Sequence, residues 1–191
     1  MYKSILAALV LIIPSVSFAE SDLSDSEIEE LLDVKIRFAT HMAFQPNVIR
    51  AVEAQNNQEL SLSEIKERDQ MWIDANGGMN SLIREITRND VARYLQRRVE
   101  NNSAIDEVFI TDNQGANVAA YPPTSDYWQG DEGKWTESYN NGNGKIFIGP
   151  LEQDASTNKT QVQISAPIVS NEETIGVLVM GVSVDYLSSQ Q

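Results

Sequence analysis

The apolar residues change their spacing near residue 105, and this change bounds what the chain can fold into. Before it they recur at steps of three and four, as on a helix with one buried face; after it they alternate or run together between glycine-bearing turns, as in strands. A helical half followed by a strand half, without interleaving, predicts an α+β domain instead of a parallel α/β sheet. From Ser24 to about Gln55, Ile28, Leu31, Leu32, Phe38, Ala39 and Met42 form one stripe, and Ser24 with Glu27 has the spacing of a reciprocal N-terminal cap. Pro46 should kink or interrupt this helix. A second cap, Ser61 with Glu64, opens a helix through Ile65, Arg68, Met71 and Trp72 that stops at Asn76-Gly77-Gly78. A third helix is expected from Asn80 to Glu100, carrying Leu82, Ile86, Val91, Leu95 and Val99. His41, the single histidine, reads as a partly buried packing residue of the first helix.

In the second half, Val108-Phe109-Ile110 reads as a strand, Asp112 to Gly115 as a turn, and Asn117 to Tyr121 as the returning strand. Lys145 to Ile148 is a third strand. In the fourth, Val162, Ile164 and Ala166 alternate with Gln161, Gln163 and Ser165, giving one apolar and one polar face. Pro167 cannot donate to a ladder, so pairing should fray or bulge there. Ile175 to Val184 is apolar at almost every position, as in a central strand covered on both faces. The result is a five-stranded antiparallel sheet with the helical half packed on it.

Composition then removes several functions. With 41% hydrophobic and 22% charged residues the chain can bury a core. The absence of cysteine excludes disulfides and thiolate catalysis, and one histidine cannot build a multi-histidine zinc site. A formal net charge of −14 argues against nucleic acid, whose phosphates need a surplus of Lys and Arg, and against anionic membrane surfaces. Residues 1–19 read as a secretory signal peptide: Lys3, the apolar run Ile5 to Ile13, then Ser17-Phe18-Ala19 as a cleavage site. That run is far short of the ~20 apolar residues that span a bilayer, so no stable membrane insertion is expected. The mature chain is expected to be soluble and periplasmic. Residues 20–104 form the helical part of the domain, 105–187 the sheet with its long loop, and 188–191 a tail.

The stretch from Pro122 to Gly144 resists a purely structural reading. It holds Tyr127, Trp128, Trp135 and Tyr139 among Asp126, Asp131, Glu132 and Lys134. Loops this long inside a compact domain are functional or disordered, and disordered segments are poor in tryptophan. The aromatics either plug the open sheet face as a lid, or wall a pocket between lid and sheet in which a few polar groups orient a small ligand. Ring faces beside carboxylates suit a cationic amine.

Five segments in order resemble a single Cache domain, the extracytoplasmic PAS-like sensor module of bacterial chemoreceptors and sensor kinases. They are F-I-T-D-N-Q-G at Phe109 to Gly115, T-S-D-Y-W-Q-G-D-E at Thr124 to Glu132, I-F-I-G-P at Ile146 to Pro150, S-A-P-I at Ser165 to Ile168 and I-G-V-L-V-M-G-V at Ile175 to Val182. The resemblance covers Ile105 to Leu187 and extends loosely over the helical half. It implies a five-stranded antiparallel PAS-like sheet with a long N-terminal helix and flanking helices, and a small-molecule pocket between the sheet and the loop joining its second and third strands. By the same resemblance Tyr121, Asp126, Tyr127 and Trp128 match ligand-contacting positions, Trp135 closes the lid, and Asp154 matches the acidic residue that meets a ligand amine. Lys134 and Lys145 are the cations available to a ligand carboxylate. The R-x-W-Y pattern of amino-acid-binding double Cache domains is missing. The expected function is a free-standing periplasmic sensor for an amine, amino acid or small carboxylate. It would need no cofactor, metal or catalytic residue, would signal through a separate membrane-receptor partner, and could dimerise through the N-terminal helix. A carboxylate-pair enzyme and an accessory subunit without its own ligand are the rival readings.

Overall fold

The computed structural model describes residues 25–153 and 159–183. The signal segment, the cap at Ser24 and Asp154 lie outside the described residues. Proline divides the first helical stretch. Of the two outcomes expected at Pro46 it is the interruption that occurs, giving α1 (Asp25–Ala43) and α2 (Pro46–Asn56), with Pro46 in the first turn of α2. There its missing N–H breaks no helical hydrogen bond, whereas mid-helix it would also clash with the preceding turn. In α3 (Leu62–Ile73) the expected cap is complete: Glu64 N–H donates to Ser61 Oγ at 3.3 Å and Ser61 N–H to Glu64 Oε2 at 2.8 Å.

The helix expected from Asn80 to Glu100 is likewise two, α4 (Ser81–Arg88) and α5 (Asp90–Glu100). Asn89 separates them. Its Oδ1 caps α5 by accepting from Ala92 N–H at 2.8 Å, and its Nδ2 donates to the carbonyl of Val118 at 2.9 Å. One side chain thus starts a helix and pins the joint to the sheet. His41 is exposed at the end of α1 with Nε2 3.1 Å from Gln45 Nε2, not partly buried.

The strands are β1 (Ile105–Thr111), β2 (Asn117–Tyr121), β3 (Phe147–Gln153), β4 (Thr160–Ser170) and β5 (Glu173–Ser183). They form one antiparallel sheet in the order β2-β1-β5-β4-β3, which puts the near-continuously apolar β5 at its centre. Pairing does not fray at Pro167, which lies opposite Val177 while the β4–β5 ladder runs on to Ser170↔Glu173. The β3 register ends at Phe147↔Ser165, so no third strand asks the proline for a hydrogen bond. The irregularity falls one residue further on, between Ile168 and Val169.

Both faces of the sheet are covered. On one, Ala39, Met42, Val48, Val52 and Leu95 from α1, α2 and α5 pack on Val108, Ile110, Ile164, Leu178 and Met180. On the other, Ile65, Trp72, Ile83 and Ile86 from α3 and α4 join Tyr127 of the long loop over Phe109, Ala120, Val177 and Val179. Each such large apolar side chain contributes ~1.5–3 kcal/mol when fully buried. Among the described residues no helix is long and apolar enough to cross a membrane.

Candidate functional site

The loop between β2 and β3 is fastened to the sheet by polar bonds at defined points. Asn117 N–H donates to the Tyr127 carbonyl at 3.0 Å and Gln129 N–H to that of Gly115 at 2.8 Å. Gly115 has φ +85°, and a Cβ there would collide with the backbone of Gly130, so the two chain segments can cross only because that side chain is missing. From α3, Asp69 Oδ1 accepts from both Tyr127 N–H (2.8 Å) and Trp128 N–H (3.0 Å), and Trp72 Nε1 donates to the Thr124 carbonyl at 2.9 Å. Beyond Glu132 the loop forms a short helix that the sequence pattern did not show, α6 (Gly133–Tyr139), followed by a 3-10 turn at Asn140–Gly142.

Within this lid the aromatic residues have different tasks. Tyr127 is wholly buried on the sheet, its ring 6.1 Å from that of Trp72. Trp128 is half-buried, with Nε1 donating to the Gln114 carbonyl at 2.8 Å and Lys66 Nζ 4.8 Å from its ring. Trp135 stacks on Tyr139 at 4.7 Å and donates from Nε1 to the Asp112 carbonyl at 3.4 Å. Tyr127 and Trp128 are therefore packed anchors of the lid, and Trp135 belongs to α6 above the sheet.

Charge gathers beside them. Asp126 is half-buried and hydrogen-bonded to Gln129 Nε2. Burial, then the Glu132 and Asp69 carboxylates, push its carboxyl up to about 6 against the opposing pull of Lys134. Lys134 points inward: its side chain is 14% exposed, its Nζ lies 2.8 Å from Glu132 and 5.7 Å from the centre of the Phe109 ring on the sheet. Asp126, Tyr127, Lys134 and Trp135 are thus on the lid side over Phe109. Lys145 points away, 48% exposed and paired with Glu137 at 2.9 Å. Tyr121 sits opposite Val108 on the helix-covered face, where its hydroxyl donates to Glu100 at 2.9 Å.

Sequence reasoning passed over two groups. Asp69, the double acceptor that holds the lid, carries no local signature. The polar face of β4 was visible as an alternation, but alternation alone reads as a solvated face; here Gln161, Gln163 and Ser165 are all buried under the lid side of the sheet. Glu107 of β1 joins them, 1% exposed, with Oε1 accepting from Gln161 Nε2 at 2.7 Å and Gln163 Nε2 at 3.0 Å. A pair of acidic residues, Asp106 and Glu107, within an otherwise apolar strand was the available signal.

The fold is similar to that of several solved bacterial sensor domains. The sensor domain of DcuS from E. coli matches with a TM-score of 0.54 at 13% identity, over 87% of this chain and 98% of that one. The sensor domain of the histidine kinase DctB from V. cholerae matches at 0.52 and 13% over 87% of this chain, which spans only 55% of the DctB chain. A putative sensory box/GGDEF family protein from Vibrio parahaemolyticus matches at 0.51 and 15%, over 86% of this chain and 58% of that one. No family model and no curated protein matches the sequence.

Proposed function

We propose that this chain is a small-molecule-binding sensor domain that works in the periplasm and passes its ligand state to a separate receptor partner. The observation that carries this reading is the lid itself: a carboxylate and an ammonium, Asp126 and Lys134, are both half-buried beside aromatic residues in a loop that hydrogen bonds hold to the sheet. A lid serving packing alone gains nothing from partly burying a carboxylate and a lysine, because desolvating charged groups costs free energy. The likeness to sensor domains agrees in fold. Residues 1–19 would direct export and 20–187 would form the sensing unit, with Asp126, Lys134 and Trp135 about the ligand, Tyr127 and Trp128 holding the lid in place, and Asp154 as a further acidic contact. Signalling through α1 is supported by its exposed Val34 (52%) and by Phe44 just beyond its end (54%), apolar surface suited to a receptor or a second copy.

Thermal unfolding of the chain against a metabolite panel tests the reading. A ligand at 100 times its Kd should add ~2.7 kcal/mol, which is about 5 to 10 °C in Tm for a domain of this size. Trp135→Ala should abolish that shift. A panel without any stabilising compound would leave the accessory-subunit reading in its place.

A further inference from the structure

Away from the lid, an acidic chain has made one cationic cleft. Arg97 and Arg98 stand in the last turn of α5 and, with Tyr94, Asn101, Asn102 and Phe38 of α1, line a cleft of about 530 Å³ between the two helices. Acidic side chains outnumber basic ones 28 to 14 in the chain, yet among the described residues no carboxylate lines this cleft. Glu100, the nearest in sequence, accepts instead from Gln96 Nε2 at 2.7 Å and from the Tyr121 hydroxyl at 2.9 Å. Neither guanidinium has a carboxylate partner among the described residues; that of Arg98 lies 4.9 Å from the centre of the Tyr94 ring. Asn102 accepts from Ala104 N–H through Oδ1 at 3.2 Å, which leaves its Nδ2 to donate elsewhere.

Arginines in a last turn complement the helix dipole, which accounts for cations at this end of α5. It does not account for the rings of Phe38 and Tyr94 set beside them. Guanidinium donors next to ring faces complement carboxylates carried close to an apolar side chain, and arginine and aromatic residues are the types enriched where proteins meet. The surface also runs on: Val34, one turn before Phe38 on the same side of α1, is 52% exposed. An extended segment can cover the cleft and Val34 together, whereas a metabolite would fill the cleft alone. We infer that the cleft between α1 and α5 docks an acidic segment of the receptor partner, its carboxylates on Arg97 and Arg98 and an apolar side chain against Phe38 and Tyr94. This rests on the partner half of the reading above and gives that partner its chemistry.

The test is an NMR titration of the chain with the peptide acetyl-Glu-Phe-Glu-amide. Backbone resonances of Phe38 and of Arg97 to Asn102 should move, and acetyl-Lys-Phe-Lys-amide should move none of them. Arg97→Glu and Arg98→Glu, at exposed positions where the unliganded Tm should hold, should each weaken the acidic peptide ~10-fold, an exposed ion pair being lost and a like-charge pair put in its place. Arg93→Gln removes an exposed cation of the same helix that does not line the cleft, and should leave binding unchanged. An acidic peptide that moves none of these resonances, a basic peptide that moves them equally, or equal losses in Arg93→Gln would overturn the inference. Two further results would replace the receptor segment by another occupant. Benzoate moving the same resonances as strongly as the peptide would make the cleft a small-anion site, and a chain that is dimeric alone but monomeric as Arg97→Glu would give it to a second copy. Ligand binding at the lid is read separately, by the Tm of the chain with the metabolite panel, so either reading can fail without the other.

Discussion

Asp126 shows how a single side chain ties the lid to pH. Its folded value near 6 lies above the ordinary 3.8. Between those values the folded chain holds a proton that the unfolded chain has lost, so this residue's contribution to stability falls as pH rises through the window and stays lost above it. Asp126→Asn should therefore raise Tm at pH 7.5 and give a smaller gain at pH 4.5; scanning calorimetry at the two pH values checks this, and equal gains would mean that the carboxyl is not perturbed. Residue by residue, the legibility of the site was uneven. The aromatic and charged content of the lid could be read directly, and so could the turn at Asp112. The side to which Tyr121 points could not: alternation says only that Tyr121 and Ala120 oppose each other, and the face is fixed by the pairing Val108↔Tyr121, a long-range fact.

At the scale of elements, α3 is the lid's fastener. Asp69→Ala should leave the N–H groups of Tyr127 and Trp128 without their acceptor, at about 1–3 kcal/mol in urea unfolding. Asp69→Asn, which keeps an acceptor oxygen, should lose much less; equal losses would show that the clamp is not the cause. Asn89→Ala should remove both the cap of α5 and the tie to Val118, costing ~1–2 kcal/mol for the cap alone. Urea unfolding checks this too, and an unchanged midpoint would deny Asn89 its joint role. Helix existence was legible from the three- and four-residue spacing, as was the cap at Ser61. So was the break at Pro46, but the one at Asn89 was not, because apolar spacing continues across it and the cap signal sits inside the pattern. The helix α6 escaped notice for a different reason: it has seven residues, begins on a glycine and has no side-chain cap, so tertiary packing has to hold it in place.

For the molecule as a whole, the sheet divides two roles. Its face under α1, α2 and α5 is an apolar core of ordinary kind, whereas the opposite face also buries Glu107, Gln161, Gln163 and Ser165. The α+β class followed from the change of spacing near residue 105, and the central place of β5 from its near-continuous apolar run, whereas its pairing with β1 is a long-range fact that local sequence does not carry. The burial of the β4 polar row did not follow, since it depends on a lid and helices whose positions local sequence does not encode. Native mass spectrometry of the chain equilibrated with a soluble metabolite pool tests the central claim most directly. The account predicts a single small-molecule adduct that is retained in Lys145→Ala, whose side chain points away from the lid face, and lost in Trp135→Ala. A bare protein mass, or an adduct indifferent to Trp135→Ala, would contradict it.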